Sequence, residues 1–209
     1  MVNVCVYASA SPKTPSAYLD AATELGRLLA KDGHLCINGA GKTGGMGALN
    51  DGVIQSQGKV RGVILNKFVV DNIEHDGIKD LVVVDGNDLQ ERKAKLVEDA
   101  DCIIALPGGT GTWDELWEAV CLNGIGLRRR PVCCVNIDGF YDGFLKMLDR
   151  ASRDGLLHGR DWRTACLLSF QPTAAAALEQ CLAQLARLER ERARRGGAEG
   201  EAAAAGAAF

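Results

Sequence analysis

Short apolar runs rich in Val, Ile and Cys alternate with longer stretches of helical period along nearly the whole chain, and few folds accept that rhythm. A strand wetted on one face alternates apolar and polar residues, whereas a run that is apolar at every position must be buried on both faces. A parallel sheet covered by helices provides that environment. The runs predict strands at 2–9, 34–38, 60–65, 81–84, 102–106, 132–137 and 167–170. Helical periodicity predicts helices at 16–31, from the end of a glycine-rich loop at 39–45 to about 57, and at 88–98. Three more are predicted from 112 to about 122, at 141–153 and from 173 to about 192. Strand followed by helix, repeated, predicts a doubly wound, Rossmann-like α/β sheet in a single domain over residues 1–190. In such a sheet ligands bind beyond the carboxyl ends of the strands, so the loops there are the places to look for chemistry.

Composition narrows the function classes. With 209 residues and 47% of them hydrophobic, the chain has material for one well-buried core, and no run approaches the ~18 apolar residues of a membrane span. A net charge of −3 argues against nucleic acid as a partner. Five of the eight cysteines (Cys5, Cys36, Cys102, Cys133 and Cys134) fall inside predicted strands, and no His/Cys ligand spacing occurs. They read as small hydrophobes in a reducing cytoplasm, with neither a disulfide framework nor a metal site expected. The N-terminus reads as a strand without the features of a signal peptide. Residues 191–209 change character, from a charged helix end through Gly196-Gly197 to an Ala/Gly-rich segment, and are expected to form a disordered tail.

Two glycine-rich loops follow predicted strands. In the first, Asn38-Gly39-Ala40-Gly41-Lys42-Thr43-Gly44-Gly45-Met46-Gly47, the Gly-Lys-Thr triplet mimics a P-loop, but that motif requires glycine where Cys36 stands. Gly39-x-Gly41-x-x-Gly44 matches the dinucleotide fingerprint, yet the next strand ends in Leu65-Asn66-Lys67 without an acid for a ribose hydroxyl. The segment is therefore either a tight turn that packs a helix closely on the sheet or a place where a ligand approaches the backbone.

The second loop, Pro107-Gly108-Gly109-Thr110-Gly111-Thr112, joins a buried strand directly to a helix. Glycines let amides converge on an anion, threonines add hydroxyls, and a helix N-terminus carries about half a positive charge, which together suit a phosphate. Thr112-x-x-Glu115 also fits a capping box, a purely structural alternative. Upstream, Glu91-Arg92-Lys93-Ala94-Lys95 offers cations. Glu91 and Lys95 have the spacing of a solvated ion pair, while Arg92 has the planar fork that suits a phosphate, a carboxylate or ribose hydroxyls.

Glu91-Arg92-Lys93 followed by Pro107-Gly108-Gly109-Thr110-Gly111-Thr112-x-x-Glu115 resembles the signature of the LOG (Lonely Guy) family, whose members were long labelled lysine decarboxylases. The resemblance extends from residue 2 to about 185. It implies a Rossmann-type homodimer that needs no cofactor and acts on a small-molecule partner. The implied reaction hydrolyses the N-glycosidic bond of an adenosine or cytokinin riboside 5′-monophosphate to base and ribose 5-phosphate. It further implies Arg92 and Glu115 as the catalytic pair and Gly108, Gly109, Thr110, Gly111 and Thr112 as the phosphate loop. Lys93, Glu74, Ser9 and Gly44 are implied as further substrate contacts. The chain departs from the family at Ala8-Ser9-Ala10-Ser11, where Gly-Ser-Ser is usual, and at Ala40 and Gly45 in the first glycine loop. A carboxylate near C1′ would stabilise the positive charge that develops as a ribosyl C–N bond breaks and orient water, the role expected of Glu115. His34, His75 and His158 are expected to be structural or exposed. The alternative reading is a nucleotide or molybdenum-cofactor carrier of the same fold; decarboxylation would require a Schiff-base lysine in a fitting site.

Overall fold

The computed structural model describes residues 1–70, 72–86, 88–157 and 161–206. Seven strands form one sheet, β1 (Asn3–Tyr7), β2 (Leu35–Asn38), β3 (Lys59–Leu65), β4 (Asp80–Val84), β5 (Cys102–Ala105), β6 (Val132–Val135) and β7 (Leu168–Gln171). Their spatial order is β4-β3-β2-β1-β5-β6-β7 and every pairing is parallel. From β1 the chain builds outward to one side through β2, β3 and β4, then returns to the other side of β1 with β5. The reversal leaves the loops after β1 and β5 side by side, the crevice where open α/β sheets hold ligands.

The apolar residues of the central strands divide between two cores. Val4, Val6 and Ala8 point to one face with Cys102, Ile104 and Leu106, under α1 (Ser16–Lys31), α2 (Gly44–Gln55) and α8 (Ala174–Gly206). Cys5 and Tyr7 point to the other with Ile103 and Ala105, under α4 (Gln90–Val97), α5 (Thr110–Gly124) and α6 (Asp142–Arg153). The period of two thus feeds both layers, each fully buried Leu or Ile contributing about 1.5–3 kcal/mol. Cys5, Cys36, Cys102, Cys133, Cys134 and Cys181 are buried in these layers, Cys166 is partly buried and Cys121 is exposed; all are free thiols.

Several boundaries differ from those expected. Two short helices, α3 (Asn66–Val70) and α7 (Trp162–Ala165), were not anticipated, being too short to display a helical period. α8 continues through Gly196 and Gly197 to Gly206 instead of breaking there, in keeping with the strong helix propensity of the surrounding Ala, Glu and Arg. α5 begins at Thr110, with Gly109 as its N-cap and no side-chain cap. Thr112 consequently lies inside the first turn, and the capping-box alternative for Thr112 and Glu115 is removed.

Candidate functional site

The loop after β5 enters α5 almost without transition. Pro107 is buried, Gly109, Thr110 and Gly111 are exposed, and Thr112 turns inward over Gly108, where a β-carbon would collide with its side chain. A β-carbon at Gly109 or Gly111 would meet nothing within 4 Å. The first amides of a helix have no intrahelical partner. With no side-chain cap and open space around Gly109 and Gly111, the N-terminus of α5 faces outward as a ready anion-binding edge.

The first glycine loop is organised differently. Asn38 Nδ2 donates to Asn50 Oδ1 (2.7 Å), Asn38 Oδ1 accepts from Ala40 N (2.8 Å), and Asn50 Nδ2 donates to Gly41 O (3.1 Å). Gly44 has φ +65°, and a β-carbon there would sit 2.7 Å from the carbonyl oxygens of both Ser9 and Ser11. Met46 N donates to Ser9 O at 3.0 Å, while Ser9 Oγ accepts from Ser11 N (3.1 Å) and Thr14 Oγ1 (2.9 Å). Gly44 and Ser9 are thus occupied in docking the start of α2 against the loop after β1, the tight-packing reading of this segment. Gly39 has another use: a β-carbon there would strike the guanidinium of Arg92.

Arg92 and Glu115 meet. Arg92 leaves α4, donates from Nε to Val63 O (3.1 Å) within β3 and from Nη1 to Glu115 Oε1 on α5. Both side chains are nearly buried, 12% and 13% exposed, so the solvated-face reading of the α4 cations fails for Arg92. Burial pushes the Glu115 carboxyl above its usual range, opposed by Arg92 and Lys93 and reinforced by Asp114. Removing one partner of a buried pair strands a charge at a cost of about 3–5 kcal/mol, so the two carry each other.

Lys93 does not point to the phosphate loop. Its ammonium, 8% exposed, lies 3.1 Å from Asp114 Oδ2 and 2.9 Å from Glu118 Oε2, both on α5. Burial draws its pKa down, but Glu118 and Asp114 together hold it above the ordinary lysine value. Lys95 pairs with Glu98 at 2.8 Å, not with Glu91 as the local spacing suggested. Beyond these ion pairs α4 and α5 stand apart, with a cavity of about 310 Å³ between them, floored by Tyr7 and Ile103 and flanked by Glu115.

Glu74 is carried by a strap laid against the first glycine loop: Gly41 and Glu74 form an antiparallel bridge, Lys42 N donates to Ile73 O (3.0 Å) and His75 N to Ala40 O (2.8 Å). Glu74 Oε2 is buried without a hydrogen-bond partner among the described residues, an acceptor with spare capacity. His75 Nε2 lies 3.1 Å from Asp51 Oδ1, and His34 Nδ1 accepts from Val2 N at 3.3 Å, so both act structurally. His158 falls outside the described residues. No group of three or more His, Cys, Asp or Glu is arranged to hold a metal ion among the described residues. The sequence pattern does not predict Asp114 and Glu118 as partners of Lys93, Gly39 as the notch for Arg92 or the Val63 carbonyl. Gly39, in a glycine-rich loop, and Asp114 and Glu118, crowded acids near a helix start, carry a visible signal in the sequence.

Residues 46–181 match the family model described as "Possible lysine decarboxylase". Among curated proteins, the chain is 36% identical over 154 residues to the cytokinin riboside 5′-monophosphate phosphoribohydrolase LOG of Oryza sativa subsp. japonica, covering 74% of this chain and 63% of that protein. It is 32% identical over 177 residues to LOG2 of Arabidopsis thaliana, a protein of the same description, covering 85% of this chain and 82% of that one. Among solved structures, a structural-genomics target determined by X-ray crystallography matches with TM-score 0.63 and 28% identity over 86% of this chain and 97% of its own. The Moco carrier protein of Chlamydomonas matches in fold, with TM-score 0.62 at 19% identity over 88% and 98%.

Proposed function

The chain belongs to the family described as possible lysine decarboxylases, which takes in the LOG phosphoribohydrolases, and from that membership we propose that it hydrolyses the N-glycosidic bond of a purine riboside 5′-monophosphate. Free base and ribose 5-phosphate are the products; the substrate is a cytokinin nucleotide or AMP itself. The observation that carries the reading is the nearly buried Arg92–Glu115 pair beside the uncapped N-terminus of α5.

The 5′-phosphate sits on the first amides of α5 and the Thr110 hydroxyl, and this anchorage sets how far the ribose extends toward Glu115. Glu115 faces C1′, stabilises the positive charge that grows there and takes a proton from the attacking water. One water is consumed, its hydroxyl ending on C1′ and its proton on the departing base. A carboxyl raised by burial is the better base for this, because its basicity moves toward the working pH. Arg92, held by Val63 O, keeps Glu115 aimed. Glu74, with its spare buried oxygen, is assigned to the substrate.

Lysine decarboxylation is disfavoured by the state of Lys93, the buried lysine nearest the site. A Schiff base needs a neutral amine, and Asp114 and Glu118 favour the ammonium. Homodimerisation, implied by the family resemblance, accords with the exposed Leu89, Ile125 and Leu127, and light scattering checks it. A cytoplasmic setting accords with the buried free thiols. No helix among the described residues is long and apolar enough to cross a membrane.

Chromatographic assay of free base from AMP and from N6-isopentenyl AMP tests the activity. Base release that is lost by at least about 100-fold in Glu115→Gln, with phosphate binding retained, supports the reading. A folded protein that releases no base and returns the nucleotide intact is a carrier instead.

A further inference from the structure

The start of α5 carries three carboxylates in five residues, Asp114, Glu115 and Glu118, beside an edge assigned to an anion. Unbalanced, they would repel the ligand and one another. The structure divides them between two neighbouring cations on α4: Arg92 takes Glu115, and Lys93 takes Asp114 and Glu118. Because successive helical residues diverge by about 100°, Arg92 and Lys93 reach different sides of the same approach. The division accounts for a lysine that is 8% exposed and whose ammonium pairs with Asp114 and Glu118. It also accounts for how two helices separated by a cavity keep a fixed spacing where Glu115 lies.

We propose that Lys93 is a positioning residue for the reaction, clamping α4 to α5 and screening Glu115 from Asp114 and Glu118, rather than a ligand of substrate or phosphate. The proposal rests on the hydrolase reading for its kinetics but not for its electrostatics. Around Glu115 stand Arg92 and Lys93 from α4, Asp114 from its own helix, and Tyr7 and Cys5 from β1, and Glu91, Lys95, Glu98, Glu118, Arg128 and Arg130 line the same cavity. Arg92 and Lys93 draw the Glu115 carboxyl down, while burial and Asp114 push it up. Loss of Lys93 therefore moves Glu115 ionisation to higher pH, and loss of the Asp114 charge moves it to lower pH.

The experiment compares wild type with Lys93→Met, Lys93→Arg and Asp114→Asn, following Glu115 by NMR of 13C-labelled glutamate alongside base release across pH. In Lys93→Met the Glu115 midpoint rises, the acid limb of the rate profile moves with it, and kcat falls about 100-fold while KM for the nucleotide stays within about 2-fold. Lys93→Arg restores the limb and most of kcat. Asp114→Asn, whose side chain is half exposed and whose loss the fold will tolerate, shifts the midpoint down. A raised KM with kcat and the Glu115 midpoint unchanged makes Lys93 a substrate ligand and overturns the proposal. A midpoint unmoved in both Lys93→Met and Asp114→Asn also overturns it. Should wild type release no base at all, the hydrolase reading falls while the NMR titration still decides the electrostatic role of Lys93.

Discussion

The two glycine loops at the carboxyl edge of the sheet look alike on paper and use glycine in opposite ways. In the loop after β2, glycine lets backbone touch backbone: Gly44 adopts a left-handed conformation against the carbonyls of Ser9 and Ser11, and Asn38 and Asn50 wire the turn to itself. In the loop after β5, Gly109 and Gly111 border open space, and the amides of α5 are left facing outward. Gly44, crowded by backbone, serves the fold, while Gly109 and Gly111, which are not crowded, leave room for something else. The contrast is one of neighbours, which a one-dimensional pattern does not carry.

Three measurements press on that contrast. Replacing AMP by adenosine removes the group assigned to the second loop and is expected to lower kcat/KM about 1,000-fold, since anchorage of the phosphate positions the ribose for reaction. A loss confined to a few-fold would detach the second loop from catalysis. Gly44→Ala combines a left-handed backbone with a collision against two carbonyls and is expected to destabilise the fold by about 3 kcal/mol, read from the denaturant midpoint. Unchanged stability there would erase the structural role of the first loop. Gly111→Ala has the smallest effect: stability holds or rises by up to ~1 kcal/mol, while KM for the nucleotide rises about 10-fold because the added methyl occupies space left open for the phosphate. Calorimetry and steady-state kinetics on the same preparation separate the two outcomes.

A fourth measurement bears on the chemistry the second loop serves. Glu115 acts ionised and burial raises its pKa, so base release should fall on acidification at a pH above the ordinary glutamate range and be fully present above it. A rate that is flat through that window would remove Glu115 from the rate-determining step.

The parallel sheet was legible because strands buried on both faces must be apolar at every position, as in Cys102 to Ala105 and Val132 to Val135. α3 and α7 were not, since five and four residues do not display a period of 3.6. At the candidate site, the glycine–threonine run is read from its residue types, and the pairing of Arg92 with Glu115 is implied by a family signature. The reason they belong together was not legible, because Lys93 finds Asp114 21 residues away on another helix, whereas a local window offers Glu91 or Glu98. The start of α5 was misread by two residues because Thr112-x-x-Glu115 satisfies a capping rule that the folded chain does not use.

The central place of β1 has a consequence for how the protein comes to be active. Asn3 accepts the amide of Asp101 and Tyr7 that of Leu106, so the crevice closes only when segments 98 and 99 residues apart have found each other. Such long-range pairing is slow, and nothing in the first half of the chain can complete the crevice by itself. The site is thus among the last parts of the molecule to form, and the return of activity during refolding should track the final, slowest phase rather than the early gain of helix.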